Sequence, residues 1–293
     1  MSVLIIGPGR IGEAHMQASR FLGNEQFEIF GGDTKKLAKK ACYLAEKFSC
    51  QVTHLERIDE KSGRRYAVIS GPTGANHTYL KDISLQNIPL LIEKPVLNQY
   101  IFSKTLEDVK NALIQRERAT VINYQYIHFA RQLRRHVRKC GNEIKIALLT
   151  NGKYRYADVA FDLIGHAISI ILELGIEICI SKFEIDIEPT GTRIWSEQSG
   201  NLVDIRVAQV NEKNRKFWIE VNGMEYERTY LNTTPIQYIL RNDSRGHIIQ
   251  VIDPLILQHK DLLYSSSNKV RIRLYETIKM EEGIKNLIEK AAE

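Results

Sequence analysis

Three groups of residues in this chain have the types and the spacing of chemistry. The stretch LLIEKPVL, Leu90 to Leu97, is an aliphatic run suited to a fully buried strand, yet it stops at Glu93-Lys94-Pro95. Burying an unpaired ammonium costs several kcal/mol, so a lysine at the tip of such a strand is solvated, ion-paired or held for chemistry. In AFDLIGHAISIILEL, Asp162 and His166 stand four residues apart, which puts both side chains on one face of a helix. A histidine there can move a proton near neutral pH with the acid orienting it, and a satisfied core histidine is the plain alternative. The third group opens the chain: VLIIGPGRIGEAHM carries Gly7-Pro8-Gly9-Arg10-Ile11-Gly12 between an apolar run and a helical pattern. A G-x-G-x-x-G in that context reads as a dinucleotide phosphate loop. Gly7 permits the tight turn, Gly9 lets backbone approach a pyrophosphate, Gly12 lets helix pack on strand, and the free amides of the helix face the phosphates.

A second apolar run, FEIFGGD, ends at Asp33, about 20 residues beyond the last glycine, where an acid accepts hydrogen bonds from the ribose hydroxyls of a bound adenosine. That acid favours NAD, because a 2'-phosphate would meet a like charge. Thr34, Lys35 and Lys36 follow at once and would receive that phosphate if the loop turned, which keeps NADP open.

The elements that must position these residues follow from periodicity. After Asp33 come a helix, a short CQVTHL, the strand YAVIS, the loop GPTGANH, a helix from about Thr78, LLIE, a helix from about Ser103 to Arg118 and the strand of ATVINYQY. Strands alternating with helices on short loops predict a doubly wound parallel sheet over residues 1–122, with ligands at the carboxyl ends of its strands. Beyond Tyr126 the pattern changes to a basic helix, the strand EIKIALLTNG, the Asp162 helix and then strands of period two: FEIDIEP, NLVDIRVAQV, RKFWIEV and EYERTYL. Residues 123–293 are therefore expected to form an α+β domain around an open, mainly antiparallel sheet. It closes with a long amphipathic helix that is free to pack back on the first domain.

Composition sets the outer bounds. With 293 residues, 43% hydrophobic and 26% charged, the chain has material for two cores. Its net charge of +6 is densest in RQLRRHVRK, Arg131 to Lys139, but no aromatic residues are interleaved there as stacking platforms. A solvated helix face is the reading, with no nucleic-acid partner. Cys42, Cys50, Cys140 and Cys179 are scattered in the manner of reduced packing thiols, no apolar run reaches the roughly 18 residues of a membrane helix, and no leader precedes the first strand. No membrane partner and a cytoplasmic site are expected.

The sequence resembles the family of glucose-fructose oxidoreductase and inositol dehydrogenase, nicotinamide-dependent enzymes of sugars, cyclitols and their derivatives. The resemblance rests on the glycine loop, Asp33, AVISGPTGANH, LIEKPV, VINYQYIHFARQLRR and the Asp162/His166 pair, and it runs through nearly the whole chain in order. It implies cofactor contacts from Gly7 to Gly12, Asp33, Thr34, Lys35, Ser70, Pro72, His77, Glu93 and Lys94. It also implies a catalytic set of Lys94, Asp162 and His166 on an NAD(P)-dependent oxidoreductase acting on a CH–OH group. In such a set His166 takes and returns the hydroxyl proton, Asp162 orients the imidazole, and Lys94 supports the developing alkoxide, with no metal required. Asn123, Tyr126, Tyr154 and Tyr156 are further candidate substrate contacts beside that set. The family usually spaces a histidine four residues after the proline where this chain spaces His77 five, and has a glycine midway between Asp and His where this chain has Ile164, with Gly165 next. A homodimer or homotetramer is expected through the open sheet. The rival readings are a biliverdin-reductase-like reductase of a non-sugar substrate and a non-catalytic cofactor-binding sensor.

Overall fold

The computed structural model describes residues 1–59, 63–71, 76–80, 85, 87–97, 106–107, 109–112, 120–137, 143–211, 215–231, 233, 235–264 and 267–292. The chain divides into two compact units, Met1–Asn123 with Leu255–Ile278 and Tyr124–Pro254 with Lys279–Glu293.

The first unit is built on six strands: β1 (Ser2–Ile6), β2 (Gln26–Phe30), β3 (Gln51–His54), β4 (Arg64–Ile69), β5 (Leu90–Glu93) and β6 (Thr120–Asn123). They lie in the order β3-β2-β1-β4-β5-β6, and every pairing is parallel. The aliphatic runs of β1, β4 and β5 are buried almost without break, as expected for central strands of a sheet covered on both faces. Helices α1 (Arg10–Phe21), α2 (Thr34–Phe48) and the short α3 (Asn76–Leu80) belong to this unit. The core beneath α2 joins Leu37, Ala41 and Leu44 to Val3, Phe27, Ile29 and Tyr66. The helix expected from Ser103 to Arg118 and the stretch from Lys81 to Gln86 fall largely outside the described residues.

The second unit holds eight strands: β7 (Glu143–Asn151), β8 (Glu184–Ile187), β9 (Gly191–Gln198), β10 (Asn201–Val210), β11 (Lys216–Val221), β12 (Met224–Leu231), β13 (Gln237–Asn242) and β14 (His247–Ile252). Their order is β14-β13-β12-β11-β7-β10-β9-β8, antiparallel except for β7 against β10. Period two decides the faces. Ile144, Ile146 and Leu148 alternate with Lys145 and Ala147, and the buried set packs toward α4 (Ile127–His136) and α5 (Ala157–Leu174). α5 is buried along almost its whole length and ends at Gly175 in the left-handed conformation that favours glycine.

Strands β9, β13 and β14 and one helix were not read from the sequence. DPLILQHKDLLY forms α6 (Pro254–Tyr264), whose Leu255 and Ile256 pack on Ala18 of α1 and on Leu22 just beyond its end, and whose Leu262 enters the core of the first sheet. The long closing helix, α7, spans Ser267–Ala292. Among the described residues no helix is long and apolar enough to cross a membrane.

Candidate active site

In the first unit the glycine loop joins β1 to α1. Gly7 has φ +80°, and a side chain there would meet Gly71 backbone at 2.8 Å; a Cβ on Gly12 would stand 2.6 Å from the Gly7 carbonyl oxygen. Both positions therefore exclude a side chain for structural reasons. Gly9 differs: a Cβ there would meet nothing within 4 Å. Its lack of a side chain leaves an open cradle at the N-terminus of α1, where no side chain caps the helix amides. Exposed amides and open space suit a pyrophosphate, so these residues fit the dinucleotide that the motif implies. Ser70 pins the turn by donating to the carbonyls of Ile6 and Gly7 at 3.0 and 2.9 Å. Arg10 and Ile11 are exposed at the cradle, and Pro8 is half-buried.

Asp33 follows the end of β2 and caps α2, its Oδ1 accepting from the Lys36 amide at 2.9 Å. The carboxylate is exposed, and Thr34 and Lys35 stand exposed in the first turn of the helix. Pro72 and the side chain of His77 lie outside the described residues.

The end of β5 is the most constrained part of this unit. Glu93 Oε1 accepts from His15 Nε2 at 2.7 Å and from Asn123 Nδ2, and the Glu93 carbonyl accepts from Asn76 Nδ2 at 2.8 Å. His15 is fully buried on α1, and its Nδ1 lies 3.0 Å from His259 Nε2 on α6. His259 Nδ1 lies 2.8 Å from Tyr66 Oη, which in turn lies 2.7 Å from Ser19 Oγ; Asn24 Nδ2 donates to that hydroxyl at 3.0 Å. A buried polar chain thus runs from Glu93 to the C-terminus of α1, and all its members are paired, which is the condition for burying such groups. Burial, with the neighbouring His15, holds His259 well below the ordinary histidine pKa, and burial pushes the Tyr66 phenol up. Lys94 comes next, half-buried, with a cis peptide to Pro95.

In the second unit His166 sits near the middle of α5 with 6% of its surface exposed. Tyr124 and Tyr126, two apart on the segment that leaves β6, present their rings edge-on to the imidazole at centroid distances of 5.5 and 4.8 Å. Gly165 makes room for this: a Cβ there would stand 2.9 Å from the Tyr124 ring. The departure from the usual glycine position is thus explained within this unit, as clearance for a tyrosine that then donates to the buried Glu281 at 3.0 Å. Asp162 lies one turn before His166 and is half-buried.

The candidate substrate contacts divide. Tyr126 lies beside His166, and its Oη accepts from Arg228 at 3.3 Å. Asn123 has its amide committed to Glu93 and is 3% exposed. Tyr154 and Tyr156 are exposed just before α5. The residues that sequence reasoning missed are His15, Tyr66, Asn76 and His259 around Glu93, and Tyr124 and Arg228 around His166.

Residues 1–126 match the Gfo/Idh/MocA family, described as an oxidoreductase family with an NAD-binding Rossmann fold. No curated protein matches the chain by sequence. Among solved structures, UDP-N-acetylglucosamine 3-dehydrogenase GnnA from Acidithiobacillus ferrooxidans aligns with 98% of this chain and 99% of its own at 16% identity and a TM-score of 0.64. KijD10, a 3-ketoreductase from Actinomadura kijaniata crystallised with NADP, aligns over 99% and 96% at 12% identity and a TM-score of 0.62. GenD2 from gentamicin A biosynthesis, crystallised with NAD, aligns over 99% and 95% at 12% identity and a TM-score of 0.63. At these identities the likeness is one of fold, and it extends over both units.

Proposed function

We propose that the chain, whose residues 1–126 match the Gfo/Idh/MocA family of NAD-binding Rossmann oxidoreductases, moves a hydride between a nicotinamide cofactor and a carbinol or ketone carbon of a sugar, cyclitol or nucleotide-sugar derivative. The observation that carries this reading is the fixed imidazole of His166, held edge-on by two tyrosines with Asp162 one turn away on the same helix. When bound, the dinucleotide supplies or takes the hydride. His166 takes the hydroxyl proton in the oxidative direction and returns it in the reductive one, which balances the hydride leaving or arriving at carbon. Asp162 orients the ring, and Lys94 stabilises negative charge on the substrate oxygen. A rigidly held base loses little ordering entropy on reaction, and that favours catalysis over a purely structural histidine.

The cradle at Gly9 and the exposed carboxylate of Asp33 support NAD as the preferred cofactor, with NADP usable if Lys35 turns inward. The reading includes a homodimer or homotetramer, supported by the exposed Leu202, Tyr230, Leu231, Ile248 and Ile252 on strands of the second sheet. It also includes a cytoplasmic site, supported by unbridged Cys42, Cys50 and Cys179. The test is a panel of sugars, cyclitols and nucleotide sugars with NAD and NADP, followed by the absorbance of the reduced nicotinamide. Turnover by the parent that His166→Ala abolishes supports the reading. NADH binding without turnover of any member favours the sensor.

A further inference from the structure

Arg228 on β12 is held in a way that no ion pair explains. Its guanidinium carbon stands over four rings of the second unit: Tyr126 at 5.4 Å, Phe129 at 5.8 Å, Phe217 at 5.6 Å and Tyr238 at 5.4 Å. Phe129 and Phe217 are themselves buried and stack on each other at 5.2 Å. Among the described residues its one hydrogen bond is the 3.3 Å contact from Nη1 to Tyr126 Oη, and no carboxylate lies within ion-pair distance.

Ring faces attract the charge of a guanidinium but accept none of its hydrogen bonds. Arg228 therefore has its plane fixed by packing while most of its five N–H donors remain for something else. A pre-oriented guanidinium is a fork for an oxyanion, because the ordering cost of a long side chain is already met by the rings beneath it. Its position gives the fork a use. Tyr126, which touches Arg228, is the same tyrosine whose ring lies 4.8 Å from His166. One ring therefore separates the guanidinium from the imidazole, a gap that a hexose bearing an anionic substituent can span.

We propose that Arg228 reads an oxyanion on the substrate, a sugar-linked phosphate or a uronic carboxylate, and that Tyr126 sets its distance from the carbon processed at His166. The inference rests on the reading of His166 as the reacting centre.

Calorimetric titration of the NADH-saturated full chain with glucose 1-phosphate, glucuronate and uncharged methyl glucoside tests it. The parent should bind at least one of the anions more tightly than the neutral glycoside, and whichever anion prevails separates phosphate from carboxylate. Arg228→Gln should lower that anion's affinity about 10- to 100-fold, the scale of charge-assisted hydrogen bonds, and Arg228→Lys should recover only part because it keeps the charge without the fork. The melting temperature and NADH affinity of the two variants serve as the folding control. Equal affinity for charged and neutral ligands in the parent, or an anion affinity that survives Arg228→Gln, overturns the inference. Turnover of neutral sugars that is indifferent to Arg228→Gln would sink it while leaving the oxidoreductase reading intact. Loss of anion binding in the variant, with no turnover by the parent, would uphold the oxyanion site and sink the enzyme.

Discussion

Lowering the pH from 7.5 to 5.5 should cost this protein stability through one residue, His259. Its imidazole is fully buried between His15 and Tyr66. One proton arrangement satisfies the chain that it belongs to with a single ring proton on His259: it donates from Nε2 to His15 and accepts from Tyr66 at Nδ1. Burial, together with His15, holds its pKa well below the ordinary value. The unfolded chain binds a proton at His259 near pH 6.5 and the folded chain does not. Stability is therefore fully present above that pH and falls as the pH drops toward the folded-state pKa. For a single site with unfolded pKa 6.5 the loss is under 0.1 kcal/mol at pH 7.5 and about 1.4 kcal/mol at pH 5.5. His259→Gln removes the titrating group while its amide can still donate to His15. The stability gap between parent and variant, measured by denaturant unfolding at both pH values, should shift in the variant's favour by about 1.4 kcal/mol on acidification. A gap that does not change with pH would refute the assignment of a neutral buried imidazole.

The two glycines of the phosphate loop should separate fold from binding. Gly12→Ala must displace the Gly7 carbonyl and should cost about 1–3 kcal/mol of stability, whereas Gly9→Ala should leave the melting temperature near the parent's and weaken NADH binding in a fluorescence titration. Asp33→Ala should cost about 1 kcal/mol through the lost cap of α2 and remove any preference for NADH over NADPH in calorimetry; a preference that persists would place cofactor choice elsewhere. Lys94→Met and His166→Ala should each slow hydride transfer by a factor on the order of a hundred to a thousand while leaving NADH affinity nearly unchanged, and unchanged turnover would reduce either residue to a structural part.

What could be read from the sequence was what the backbone decides locally. The glycine loop was legible because its spacing is set by backbone demands, a positive-φ turn at Gly7 and a close approach to the Gly7 carbonyl at Gly12. The doubly wound sheet followed from alternating elements on short loops, and the second sheet from period-two strands such as β10. The partners of Glu93 were not legible, because its side-chain donors lie 78 and 30 positions away in sequence and the contact beyond His15 joins residues 244 apart. α6 was passed over although Asp253-Pro254 is a sound helix start, since LILQHKDLLY has a weak amphipathic stripe and reads equally as a buried run. Arg228 looked like the polar member of an alternating strand, and only the folding of Tyr126, Phe129, Phe217 and Tyr238 beneath it makes it otherwise.

The same contrast answers why a buried strand ends in two charges. A carboxylate at the end of β5 is tolerable because His15 and Asn123 donate to its Oε1 and Asn76 to its carbonyl, while the side chain keeps some exposure to solvent. Three elements, α1, α3 and β6, thereby converge on Glu93 and fix the backbone at that point. α1 is also the helix whose N-terminus forms the phosphate cradle, so His15 ties the cradle and the strand end into one rigid piece. The residue that follows inherits that position. For the proposed role of Lys94, the anchoring of Glu93 fixes the backbone from which its side chain extends. Asn123, expected to touch substrate, donates its amide to Glu93, so a change there should also disturb the anchoring from which Lys94 extends.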